Sequence, residues 1–227
     1  SPETVTSISL AVVFFNCLSG SVAYAETRRI DYKSGLLFSA ATVPGAIAGA
    51  LVTGYVPRGT FDILLGVVLI LASIFIFVRP SPSSRVRKMA SASEFRRAMV
   101  DSDGKTYNFS YNLSLGLALS LVIGFLSSLL GIGGGIIHVP ALILLLNFPV
   151  HIATATSHFM LAIMALAATV VHIVTGGFEH GGILRTIALS VGMIIGAQLG
   201  AILSDRLRGS LIVRALAVAL ALVGLRL

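Results

Sequence analysis

Residues 113–146, LSLGLALSLVIGFLSSLLGIGGGIIHVPALILLL, contain no Asp, Glu, Lys or Arg and are broken in the middle by Gly131-Ile132-Gly133-Gly134-Gly135. An apolar run this long reads as membrane-spanning, because ~20 helical residues cross the hydrocarbon core. Lipid cannot hydrogen-bond bare backbone, so irregular main chain at that depth survives only within protein or beside a polar cavity. Glycine reaches positive φ without penalty, so the run can turn sharply and start a second, shorter helix over 136–146 with unpaired N–H groups. The start of that helix carries about half a positive charge, which suits an anion and needs no buried lysine. The break is therefore a candidate anion site.

Outward from this stretch the pattern recurs. The chain has 227 residues, 56% hydrophobic and 11% charged, with mean hydropathy +0.98. Uncharged runs cover 4–25, 34–55, 63–78, 113–130, 152–178 and 187–203. They are continuously apolar, whereas barrel strands would alternate over ~10 residues. The expected fold class is all-α, a polytopic transmembrane bundle. The formal charge of +7 comes largely from basic residues in short loops with no interleaved stacking aromatics, which reads as membrane topology and not as nucleic-acid binding. Cys17 is the only cysteine, so no disulfide forms within the chain. No His-Glu-x-x-His or cysteine pair suggests a metal, and no cofactor is expected.

The chain also resembles itself. Thr6-Ser7 pairs with Thr156-Ser157, Thr27-Arg28-Arg29-Ile30-Asp31 with Thr175-Gly176-Gly177-Phe178-Glu179, and Gly45-x-x-x-Gly49-Ala50 with Gly192-x-x-x-Gly196-Ala197. An offset of roughly 150 residues throughout indicates a duplicated unit. The expected organisation is a first repeat over 1–79 without its N-terminal hairpin, a basic cytoplasmic linker over 80–112, and a second repeat over 113–227. A short amphipathic surface helix is expected near 93–100 in the linker. The loop Arg28-Arg29-Ile30-Asp31-Tyr32-Lys33 is basic and its counterpart over 176–182 is not, so the two repeats are expected to be inverted, with a parallel duplication as the alternative. The first unit has no glycine break, so the native chain is expected to continue upstream of Ser1 by one broken hairpin.

The candidate substrate-binding residues are Gly131, Gly133, Gly134 and Gly135, joined by Thr156, Ser157, Thr6 and Ser7 near the starts of apolar helices. All five histidines, His138, His151, His158, His172 and His180, lie in the second unit. His158 and His172 are the candidate proton relay. The acids sit almost entirely at loop edges, which favours an anionic substrate over a central cation site. Gly45-x-x-x-Gly49 and Gly192-x-x-x-Gly196-x-x-x-Gly200 suit close helix packing, and Gln198 and Asn16 read as amides bridging helices. An intramembrane enzyme using His158 or His172 as base would need a nucleophile motif that is absent. The protein is read as no enzyme, with a passive anion channel as the alternative to a carrier.

Gly124-Phe125-Leu126-Ser127-Ser128-Leu129-Leu130-Gly131-Ile132-Gly133-Gly134-Gly135 with Pro140, then Ala155-Thr156-Ser157, then Gly192-x-x-x-Gly196-Ala197-x-x-Gly200-Ala201, together resemble the sulfite exporter TauE/SafE family. The resemblance covers nearly all of the second unit and, more loosely, the first. It implies a plasma-membrane secondary transporter for sulfite, sulfoacetate, another organosulfonate or a related small anion, working by alternating access. Its partners would be the anion and the lipid bilayer, and coupling, if any, would be to protons or sodium.

Overall fold

The computed structural model describes residues 2–78, 94–178 and 182–206, with residues 218 and 222. The basic run 79–93, Glu179, His180, Arg208 and Arg214 lie outside the described residues. The described elements are α1 (Pro2–Glu26), α2 (Tyr32–Thr53), α3 (Arg58–Val78), β1 (Glu94–Val100), β2 (Thr106–Asn112), α4 (Leu113–Leu130), α5 (Gly135–Leu144), α6 (Val150–Val174) and α7 (Gly182–Arg206). Within α1, α2, α4 and α6 lie four stretches long and apolar enough to cross a membrane. Local chemistry sets their ends. The Asp31 carboxylate caps α2 by accepting the Ser34 N–H, and the Asn112 side chain caps α4 by accepting the Leu115 N–H, which uses donors that a helix start leaves free. At the far end of α4, Gly131 turns left-handed at φ 64° and its N–H returns to the Ser127 carbonyl.

Four helix pairings build the bundle: α2 on α4, α1 on α6, α1 on α7 and α2 on α6. α2 and α4 run parallel, since Phe38 meets Gly116, Gly45 meets Leu121, Gly49 meets Phe125, and the Thr53 hydroxyl donates to the Leu129 carbonyl. α1 and α6 run antiparallel, with Gly20 against His158 and Ser7 beside Gly177 and His172. The middle of the α1/α6 seam is apolar, formed by Leu10, Cys17, Leu161, Met164 and Ala168 with Ala46 and Ala50 of α2. As the sequence suggested, Gln198 bridges helices: its amide donates to the Ser19 carbonyl and hydroxyl, tying α7 to α1.

One expectation is corrected. The segment read as a surface helix over 93–100 is strand β1, paired antiparallel with β2 from Glu94↔Asn112 to Val100↔Thr106. The chain is thus mostly helical but carries a two-stranded hairpin. Tyr107, Phe109 and Tyr111 alternate with Asn108 and Ser110, the period of a strand with one face buried, and the turn between the strands is closed by the Asp101 carboxylate. That carboxylate accepts the N–H groups of Asp103 (3.0 Å) and Lys105 (2.9 Å), while Gly104 takes φ 76°. The inward aromatics join a cluster with Phe38, Leu142, Leu146 and Phe148. Packing between distant segments outweighs the helical propensity of the short basic stretch.

The hairpin is also held electrostatically. Asp31 is fully buried, and its carboxylate accepts Arg97 Nε (2.9 Å) and Nη2 (2.5 Å) and the Ser34 hydroxyl (2.6 Å). The Ser34 hydroxyl in turn meets the Tyr111 hydroxyl at 2.7 Å. Burial by itself would raise the Asp31 pKa, but the hydrogen bonds from Arg97 and Ser34 and the guanidinium charge outweigh it and hold the carboxyl below its ordinary value. A carboxyl whose folded pKa is depressed contributes stability above its unfolded pKa of about 3.9, and that stability is lost as pH falls through the lower, folded value. The thermal midpoint of the protein in detergent is therefore expected to drop on acidification through this window, and the Asp31 contribution to that drop should be absent in Asp31→Asn. Profiles of equal slope in the two proteins would contradict this.

Candidate functional site

The glycine break is an elbow between α4 and α5, enclosed by protein. Gly133 and Gly134 are buried and, with Gly131, take positive φ of 73°, 61° and 64°. A Cβ at Gly133 would lie 2.6 Å from Val13, and one at Gly134 would lie 2.7 Å from Leu161. Val13 and Leu161 are near the middle of α1 and α6, so irregular backbone sits deep in the bundle, as glycine alone permits.

The hydrogen bonds at the elbow are incomplete in one direction. The N–H groups of Gly131 and Ile132 both return to the Ser127 carbonyl, Gly135 N–H donates to the Gly133 carbonyl (2.6 Å), and Ile137 and His138 N–H donate to the Gly134 carbonyl. No acceptor among the described residues takes the N–H of Gly133, Gly134 or Ile136, and Gly134, the N-cap of α5, offers no side-chain cap. Two hydroxyls stand against the same turn. Thr6 Oγ1 lies 3.2 Å from the Cβ position of Gly131, and Ser127 Oγ lies 2.9 Å from that of Gly134. Both residues are fully buried and neither hydroxyl has a hydrogen-bond partner among the described residues. Buried polar groups are ordinarily paired, so free amides and free hydroxyls gathered at one turn form an unsatisfied, neutral donor set. The two ends of the set differ: the hydroxyls can also accept, whereas the amides can only donate.

The remaining sequence-derived residues are placed as follows. Thr6 adjoins the elbow. Ser7, one position on, donates its hydroxyl to the Glu3 carbonyl and lies beside Gly177 and His172. Thr156 and Ser157 sit at the other end of the α1/α6 seam, level with Gly20 and separated from Ser7 by about 20 Å of helix. The Thr156 hydroxyl accepts the Asp31 N–H at 3.0 Å, which engages it with the α1–α2 loop. His158 and His172 also occupy opposite ends of that seam. His158 Nδ1 pairs with the Thr154 carbonyl and its ring meets Tyr24 edge-on; both nitrogens of His172 lack partners among the described residues. The apolar cluster between them contains no side-chain donor or acceptor except the Cys17 thiol.

Ser127 was missed from sequence, although a serine pair in the last turn of an apolar helix, immediately before a glycine break, was the available signal. The Asp31–Arg97–Ser34–Tyr111 network was missed too, because its members are dispersed over 31–111 and nothing local marks them.

This arrangement is accompanied by a match of all 227 residues to the family model described as Sulfite exporter TauE/SafE. The chain belongs to the sulfite exporter TauE/SafE family. It is 34% identical over 227 residues to the probable membrane transporter protein YunE of Bacillus subtilis (strain 168), covering 100% of this chain and 81% of that protein. It is 23% identical over 202 residues to the probable membrane transporter protein YdhB of the same organism, covering 88% of this chain and 74% of the relative. A probable membrane transporter protein of Xylella fastidiosa (strain Temecula1 / ATCC 700964) is 24% identical over 211 residues, 92% of this chain and 72% of the relative. No solved structure matches the chain significantly. This TauE/SafE member is a multi-pass membrane protein of a transporter family.

Proposed function

We propose that the protein is a secondary transporter that carries a small sulfur-containing anion, sulfite, sulfoacetate or another organosulfonate, across the plasma membrane by alternating access. The observation that carries this reading is the elbow: unpaired N–H groups of Gly133, Gly134 and Ile136 at a turn against which the free hydroxyls of Thr6 and Ser127 also stand. Such a site compensates a small anion by dipoles alone, so the anion is not trapped by a fixed countercharge and can leave to either side.

Alternating access draws support from the order of helix packing. Exchanging α1 with α6 and α2 with α7 turns the α1/α7 pairing into the α6/α2 pairing and leaves α1/α6 unchanged, the relation expected of two repeats meeting about an axis through the α1/α6 seam. Thr6 of the first unit would then serve the elbow of the second. The basic α1–α2 loop and the hairpin, joined by Arg29 to Asp103 (3.3 Å) and by Ser102 N–H to the Thr27 carbonyl, would face the cytoplasm.

The test is anion flux in proteoliposomes with sulfite, sulfoacetate and thiosulfate. Saturable uptake accelerated by unlabelled anion on the opposite side is expected. Flux that rises without saturating would favour a passive channel and overturn the carrier. Imposed proton and sodium gradients in the same vesicles identify the coupling ion, and His158→Ala and His172→Ala report whether either histidine shapes the pH response.

A further inference from the structure

We infer that Ser127 is a substrate-selecting residue, its hydroxyl supplying the α4 side of the donor set that recognises an oxyanion at the elbow. This rests on the reading of the elbow as the anion site and goes beyond it by assigning selectivity to one side chain.

Three observations converge on Ser127. Its Oγ is 2.9 Å from the point a Cβ would occupy on Gly134, the residue that opens α5 with φ 61° and no side-chain cap. The side chain is fully buried and the hydroxyl has no partner among the described residues. The Ser127 carbonyl accepts the N–H groups of both Gly131 and Ile132, so the same residue also fixes the turn its side chain stands against. In α4 the ordinary fate of such a hydroxyl is a bond to the carbonyl four residues back, as Thr42, Thr53 and Thr154 make in their helices. Ser127 does not do so.

The chemistry separates ligand classes. Thr6 from α1 stands against Gly131 and Ser127 from α4 against Gly134, so on this reading an anion with several oxygens, such as sulfite or a sulfonate head, would engage amides and hydroxyls together. A halide presents one centre and is served mainly by the amides. Ser127 therefore contributes more to oxyanion binding than to chloride binding.

The test uses the full chain in proteoliposomes. Ser127→Ala is expected to raise the KM for sulfite about tenfold, equivalent to one lost hydrogen bond to a charged group, with maximal rate within about twofold. Inhibition by chloride should be unchanged. Ser128→Ala, which removes an equally buried and unpartnered hydroxyl one position on, should leave the KM as in the parent. Melting followed by circular dichroism distinguishes a binding role from a structural one: without ligand, Ser127→Ala should melt at or above the parent temperature, while the stabilisation produced by sulfoacetate is lost. A parental KM and parental sulfoacetate stabilisation in Ser127→Ala, or a lowered melting point without ligand, overturns the inference. Should Gly134→Leu abolish flux while Ser127→Ala behaves as the parent, this inference falls and the elbow stands. If both behave as the parent, both fall.

Discussion

Gly134→Leu is expected to cut saturable sulfite flux about a hundredfold or more, a loss of about 2.7 kcal/mol in transition-state or ligand binding, in protein that still inserts and folds. Two effects add. The residue stands at φ 61°, a left-handed conformation that costs an L side chain about 1–2 kcal/mol, and its Cβ would press on Ser127 Oγ and Leu161 Cδ2 at 2.9 and 2.7 Å. The new side chain would therefore occupy the space where free amides and the Ser127 hydroxyl meet. Gly176 is the control, since it has φ 81° with no described atom within 4 Å of a Cβ. Gly176→Ala suffers the backbone penalty alone and should transport at nearly the parental rate with a modestly lowered melting temperature. Equal losses in the two variants would mean that glycine is needed for chain conformation in general and not for the elbow's contents.

Gly45→Val acts on the scaffold, and its effect should be larger still, with folded protein largely lost. A Cβ at Gly45 would collide with the Leu121 carbonyl oxygen and lie 3.0 Å from the Phe125 amide, one at Gly49 would collide with the Phe125 carbonyl oxygen, and one at Gly124 on the facing helix would collide with the Thr42 carbonyl oxygen. These neighbours are backbone and cannot rotate away, so α2 and α4 must separate. Overpacking a tight contact typically costs about 1–3 kcal/mol, and separating two backbones along a whole seam exceeds that range. Because α4 carries the elbow, its displacement removes transport as well. Buried Cys17 gives the readout: a thiol-reactive dye should label Gly45→Val at ambient temperature and the parent only on heating. Gly196→Ala on α7, where no described atom lies within 4 Å of the Cβ, should melt with the parent. Indistinguishable melting of Gly45→Val and the parent would refute the interlock.

Much of this could be read from composition and spacing. Apolar runs marked the transmembrane helices to within a few residues, because hydrophobic length is a local property that the bilayer selects directly. The glycine run marked the elbow, and α5 begins at Gly135, one residue before the expected start, because a positive-φ turn leaves the same trace in any context. Less legible was the hairpin over 94–112. Its aromatic alternation was present in the sequence, but the partners that hold it, Phe38 and Phe148 for the aromatics and buried Asp31 for Arg97, lie far away along the chain.

Local pattern thus determined where helices form, where one of them breaks, and that the break exposes amides. Only the tertiary structure decided what stands beside those amides. It brought Thr6 and Ser127 to the elbow, held Thr156 to the Asp31 loop instead, and, among the described residues, set a partner helix within contact distance of one of two similar glycine stripes. Periodicity encodes which face of a helix is small, polar or apolar. Which distant helix meets that face depends on how the whole bundle closes, through contacts between segments that share no local signal.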